Sequence, residues 1–501
     1  MKSLMEIDSF GAIDADNDDL LLQCFEDHDA FIDALKMKKF LIVGRKGTGK
    51  TAIYKKIIST RDAEFFSYGH TFSDYPWHHH EMQAKIGIPD YDKYTHSWKY
   101  LILLTLSKII LNHDNSLPYN EETMDDMIKI ERFVVDSYGT RDPDVTQIFS
   151  PTKRLKFKPY FEIDWKLLKA GISPENVPME ELPVIVQEVN NNLLIYSLSV
   201  LNPNNRYYIC FDQLDLGFDP SNPEYSNRLI GLLLACRDIN IKAKEYKKNF
   251  SIVVFLRDDI YEKLHFEDKN KITENFLSLI EWDTERTQKS LKNLMERRYK
   301  TILSDDKDIV NWEEIFDEIH KMPGHQTKYQ FILDRTFLRP RDMIKFCNSI
   351  LEQYKIRVMK GTDQDVNKFV NEDVHIARTN YGTYFLREID DEIHKHIPNY
   401  GKFLEIFRGI NIVRFTKEEF LDEYAKRAAA FPDVKDPFDI LKQLYDFSIL
   451  GFYKPGGRGY GGSEYVFKYK NPSQDFDLTS RLFQVHLGLL DVLGLKRYAK
   501  K

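Results

Sequence analysis

Eight consecutive residues, Gly44, Arg45, Lys46, Gly47, Thr48, Gly49, Lys50 and Thr51, carry the clearest chemistry in this 501-residue chain. Their order satisfies the GxxxxGK[ST] spacing of a loop that cradles phosphates. Gly44, Gly47 and Gly49 allow backbone conformations that side chains forbid, so amides can approach phosphate oxygens. Lys50 sets a point charge on the terminal phosphates, and Thr51 offers a hydroxyl to Mg²⁺. Thr51 and Ala52 open a helix whose free N–H groups and positive dipole end face the anion. The ligand implied is a nucleoside triphosphate with Mg²⁺.

Such a loop needs a strand before it and a helix after it. Phe40–Val43 is a short apolar run, and Ala52–Ile58 reads as a helix. A phosphate site also needs a carboxylate at the end of a neighbouring strand, on the metal side. Tyr207–Phe211 is such a run and ends in Asp212. Gln213 follows, so the next acid able to polarise a water is Asp215, which reads equally well as a capping acid. Ile252–Leu256 ends in Arg257, placed either to report a γ-phosphate or to pair with Asp258 or Asp259. Arg339-Pro340-Arg341-Asp342 opens a helix with Pro in its first turn. Arginine there opposes the dipole, so Arg339 and Arg341 require an anion, either phosphate or an acidic side chain.

The length points to two or three domains. Alternating strands and helices predict an α/β parallel-sheet core over 1–283 with a helical insertion at about 74–200. A helical lid is expected over 284–400. In 401–501, helix, helix, strand, Gly-rich turn and strand follow the order of a winged helix, with a capping box at Thr416 and Glu419. Arg458 and Tyr460 at the turn, with Lys468 and Lys470 beyond it, can meet DNA or a partner protein. Further readings expect helices over Asp18–Leu35, Thr284–Leu303 and Trp312–Lys321.

With 42% hydrophobic and 30% charged residues, the composition is that of an ordered globular protein. The apolar run Tyr100–Leu111 is interrupted by Lys108 and is too short to span a bilayer. The acidic N-terminus lacks a secretory pattern, so a cytoplasmic location is expected. Four scattered cysteines argue against a disulfide framework, and His78-His79-His80 reads as a solvated loop. The net charge is −7, which argues against coating nucleic acid by charge alone. From Gly401 to Lys501, however, 17 basic residues outnumber 13 acidic ones.

In their order, Ile42–Thr51, Asp212–Asp215, Arg257 and Arg339–Asp342 resemble the AAA-related and STAND-type P-loop ATPases. Gly44–Gly47 with Ala52-Ile53, and Trp282 before a long helix, are similar to a bacterial P-loop ATPase family whose relatives occur in antiphage and stress systems. The lid and winged-helix order is similar to origin-recognition ATPases. The resemblance implies an ATP- and Mg²⁺-dependent switch that assembles with itself or with partners, in antiphage defence. Many hydrolytic members carry a glutamate where Gln213 stands, so slow hydrolysis is implied. A subunit-to-subunit arginine is also implied, with Arg228 and Arg237 as candidates. The rival expectations are a DNA-binding ATPase of loader or repair type and a nucleotide-binding scaffold with little hydrolysis.

Overall fold

The computed structural model describes residues 2–71, 90–144, 182–216, 222–284, 287–304, 309–361, 367–394, 396–397, 399–432, 434–456 and 462–497. His78–His80, Arg458 and Tyr460 lie outside them. The chain forms two compact units: a sheet unit of Asp27–Arg45 and Lys50–Ile280, and a helical unit of Met1–Glu26, Lys46–Gly49 and Glu281–Lys501.

The sheet unit runs α1 (Asp29–Leu35), β1 (Leu41–Val43), α2 (Lys50–Ser59), β2 (Phe65–Thr71), α3 (Asp90–Asn112), α4 (Met124–Tyr138), α5 (Leu182–Val200), β3 (Arg206–Asp212), α6 (Pro223–Glu245), β4 (Phe250–Leu256), α7 (Asp258–Lys263), α8 (Lys269–Phe276) and β5 (Leu277–Leu279). Its five strands lie in the order β2-β3-β4-β1-β5, and every pairing is parallel. Parallel strands covered on both faces read as continuous apolar runs rather than alternating ones. All of β4 and all of β3 after Arg206 are buried accordingly. Because the strands run the same way, the ends of β1, β3 and β4 emerge at one sheet edge, where ligands of open α/β sheets bind.

The long apolar run of the sequence is the centre of α3, buried without interruption from Leu101 to Ile110. Lys108 survives there because its ammonium reaches Asp142 at 2.7 Å, the Pro143 carbonyl at 3.0 Å and the Tyr68 hydroxyl at 3.3 Å. Helix α6 packs against α3 so closely that a Cβ on Gly231 would lie 2.6 Å from that of Tyr94. Among the described residues no helix is long and apolar enough to cross a membrane.

The helical unit contains α9 (Leu291–Leu303), α10 (Trp312–Ile315), α11 (Lys328–Leu333), α12 (Pro340–Met359), α13 (Asn371–Ile393), α14 (Tyr400–Ile410), β6 (Arg414–Thr416), α15 (Lys417–Arg427), α16 (Pro437–Asp446), β7 (Leu450–Lys454), β8 (Glu464–Val466) and β9 (Leu482–Val485). Strands β6-β9-β7-β8 make an antiparallel sheet in that order. The Thr416–Glu419 capping box starts α15. Helices α12 and α13 pair through stacked Phe346 and Tyr381, 4.5 Å apart, and through a buried Arg357–Asp373 bridge.

Three helical expectations are corrected. The Trp312 helix stops at Ile315 because Phe316 stacks on Trp312 and turns aside to bridge Phe369. Helix α9 begins only at Leu291, capped by Ser290, because Asp283 is left-handed at φ +52° and its carboxylate accepts the Leu291 N–H. Asp18–Cys24 forms turns rather than a helix, since Asp18 is buried in an ion pair with Arg298 at 2.6 Å.

Candidate nucleotide site

In the sheet unit, β1 delivers Gly44, whose N–H donates to the Leu256 carbonyl of β4 at 3.3 Å. Lys50 opens α2, and its ammonium donates to the carbonyls of Gly44 (2.7 Å) and Arg45 (3.0 Å). Burial holds this lysine below its ordinary pKa, against the opposing pull of Asp215 and Asp258. Asp212, at the end of β3, is 2% exposed. Burial raises its carboxyl to about 6, although the Thr51 hydroxyl and the Gln213 N–H donate to it and Lys50 lies near. Gln213 makes this turn at φ +59°, in the left-handed region. The second oxygen, Asp212 Oδ2, is buried with no hydrogen-bond partner among the described residues.

That orphaned oxygen and the Thr51 hydroxyl suit Mg²⁺. The ion takes one or two protein oxygens and completes its octahedron with phosphates and water rather than with a cage of side chains. Among the described residues no group of three or more His, Cys, Asp or Glu gathers as a cage.

Asp215 and Arg257 also come together at this edge. Arg257 grips Asp259 through two nitrogens, at 2.9 and 2.7 Å, and reaches Asp215 at 3.3 Å. Of the readings the sequence allows for Arg257, the ion pair is the arrangement present. Arg228 pairs with Glu224 at 3.3 Å, and Arg237 pairs with Asp238 at 3.1 Å, both inside this unit.

The crest of the loop, Lys46–Gly49, belongs to the helical unit, and its backbone is held there at several points. Arg339 is fully buried. Its Nη1 donates to the Lys46 carbonyl at 2.8 Å and to Glu392 at 2.6 Å, while Nε and Nη2 each reach Asp342 at 2.8 Å. Asp342 also accepts the Phe337 N–H, which fixes the turn in which Leu338 sits at φ +53°. Arg341 bonds Glu388 at 2.9 Å and the Ile13 carbonyl at 3.1 Å. The Lys46 ammonium reaches Asp391 at 2.9 Å, and the Trp282 indole donates to the Thr48 carbonyl at 3.0 Å. The anions required by Arg339 and Arg341 are therefore acidic side chains in this structure. Sequence reasoning missed Glu388, Asp391 and Glu392. Their signal was the i, i+3, i+4 spacing that puts three acids on one face of α13.

Gly47 is left-handed at φ +83°, and a Cβ there would meet Arg341 carbons at 3.1 Å. Gly47→Ala should therefore cost about 1–2 kcal/mol in backbone strain and weaken nucleotide binding. Titration with a fluorescent nucleotide and a thermal melt check this; wild-type values in both would show that the crest relaxes freely.

Fold and loop together are those of an α/β P-loop core. Residues 289–390 match the family model described as the FunZ-associated C-terminal helical domain. Over 524 residues the chain is 22% identical to the "Putative transposon gamma-delta 80.3 kDa protein" of Escherichia coli (strain K12), covering 94% of this chain. It spans 65% of the length of that curated relative. A solved structure of Aeropyrum pernix ORC1 in complex with DNA aligns over 94% of this chain and 95% of its own, with 13% identity and a TM-score of 0.34.

Proposed function

We propose that this protein binds and hydrolyses ATP and works as a switch that assembles with itself or with partner proteins. The observation that carries the reading is the convergence of Lys50, Thr51 and Asp212 at one sheet edge, with Asp212 Oδ2 buried and unpartnered among the described residues. Mg²⁺, when bound, supplies charge neutralisation between the phosphates; Thr51 and Asp212 would hold it. Lys50 exchanges its two loop carbonyls for phosphate oxygens. Asp215 orients the attacking water once Arg257 turns from it toward the γ-phosphate. That ion pair must open first, which makes hydrolysis slow. The grip of Arg339 on the Lys46 carbonyl lets the helical unit respond to movements of the loop crest. Residues 401–501 are read as a winged helix that docks a partner, and antiphage defence as the setting, on the resemblance of the loop and strand-end motifs.

A second reading, a DNA-binding ATPase, is favoured by exposed Lys454 and Lys470 and half-buried Lys468 around the β7–β8 hairpin. Retention on DNA that declines steeply with salt would select it.

The test is mass in solution, with and without ATP·Mg²⁺, alongside phosphate release, for wild type and Lys50→Ala. The variant should lose turnover by about 10²–10³-fold, the size of removing one preorganised charge-stabilising group, together with any nucleotide-dependent change in mass. Identical behaviour of the two proteins would defeat the proposal. Nucleotide binding without release would leave the scaffold reading.

A further inference from the structure

The helical unit contains a cleft far in sequence from the phosphate loop. It encloses about 190 Å³ between the Pro323–Gln326 turn and the four-stranded sheet, and Gln326, Arg414, Leu487 and Arg497 line it. We infer that this cleft is a second anion site, which takes a phosphate group through Arg497 and Arg414 with Arg335 behind them.

Arg335 is 1% exposed, its guanidinium lies 3.4 Å from the centre of the Phe331 ring, and its Nη1 donates to the Phe331 carbonyl at 2.7 Å. Its Nε is buried with no hydrogen-bond partner among the described residues. A buried guanidinium without a carboxylate is costly. Nearby Asp334 and Asp491 relieve it only in part, since both are committed elsewhere. Asp334 accepts from the amides of Gln326 and Gln330, at 2.7 and 2.8 Å. Asp491 is engaged by Arg378 at 2.5 Å. Burial, and then the positive charges of Arg378 and Arg497, hold Arg335 down to about 9. Arg335, Arg378 and Arg497 thus share two carboxylates, and Arg414, which donates to Gln484 at 2.8 Å and lies over the Tyr465 ring, adds a further positive charge to the cleft wall that an anion would balance.

The second orphan narrows the ligand. Gln326 Oε1 is buried with no partner among the described residues, while its Nε2 is committed to Asp334. A carbonyl oxygen needs a donor. A ligand that presents anionic oxygens to arginine and one O–H toward Gln326, which lines the cleft, would satisfy both. A hydrogen phosphate does both, and so does a phosphate ester carrying a neighbouring hydroxyl. Arginine's planar fork suits phosphate geometry better than a point charge would.

The experiment uses full-length Lys50→Ala, so that the phosphate loop contributes little, and titrates inorganic phosphate and then AMP by calorimetry. Saturable binding is expected in Lys50→Ala and should weaken at least tenfold when Arg497→Gln or Arg414→Gln is added. Arg414 is exposed and Arg497 half-buried, so both variants should fold, which a circular dichroism melt verifies. Tighter binding of AMP than of phosphate would assign the site to a nucleotide; the reverse would assign it to free phosphate. Loss of binding in Lys50→Ala alone, non-saturable heats, or less than tenfold weakening in both added variants would overturn the site. None of these outcomes depends on whether the loop hydrolyses ATP.

Discussion

Arg339→Met is expected to destabilise the helical unit by about 3–5 kcal/mol, the size of removing one partner from a buried ionic network. Arg339 is fully enclosed, as is Asp342, and Glu392 is 5% exposed. The guanidinium meets both carboxylates and the Lys46 carbonyl. Methionine fills much of the volume but takes this cation from two buried carboxylates and the donor from one loop carbonyl. Asp342 additionally holds the Phe337 N–H, so the turn into α12 should loosen as well. Hydrogen exchange along α12 and α13 reads the effect locally, because a global melt mixes the two units. Adding Glu392→Gln should restore part of the loss, since a neutral amide tolerates burial without a partner charge. Protection in both helices equal to wild type would show that the network is not what holds them.

The second large effect is expected at Asp212, where stability and function should move in opposite directions. The folded chain keeps this carboxyl protonated up to about 6, against an ordinary value of 3.8. Between those values the native state binds more protons than the unfolded chain, so this group's contribution to stability falls as pH rises through that window. The whole shift represents about 3 kcal/mol between the two protonation states. Asp212→Asn removes the charge that burial penalises. It should therefore raise the stability of the nucleotide-free protein at pH 7 by about 1–2 kcal/mol, less than the whole because Lys50 loses an attractive neighbour. The gain should vanish near pH 4, where the native carboxyl is already neutral. The same change strips the negative charge from one of the two groups proposed for Mg²⁺, so turnover should drop about 10²-fold or more. Thermal melts at pH 4 and 7, together with phosphate release, decide the matter. A variant less stable than wild type at pH 7 would contradict the account of Asp212 as a carboxylate that burial penalises.

The phosphate loop was readable without coordinates because everything that makes it is local. Gly47 and Gly49, at φ +83° and +111°, are chosen by backbone sterics within a few residues. Strands β3 and β4 were readable because a parallel strand buried on both faces leaves an unbroken apolar run, and each ends in a charged group at the sheet edge. The strand order that places β4 between β3 and β1 could not be read from those runs, since pairing is a long-range choice.

The arginines divide along the same line. The helix dipole at Pro340 required an anion near Arg339 and Arg341, but the acidic side chains that meet them, Glu392 and Glu388, come from about fifty residues away along the chain. Burial separates Arg335, enclosed with an orphaned Nε, from an ordinary surface arginine, and burial is not a property of neighbouring letters. Likewise Asp18 looked like part of an acidic amphipathic helix until Arg298, 280 residues on, took its carboxylate. By itself the sequence determined what depends on backbone sterics and apolar periodicity: the loop, its flanking elements and the acid at the end of β3. Only the tertiary structure decided which charges are buried together, because the free energy of a buried charge depends on partners that the fold brings from far along the chain.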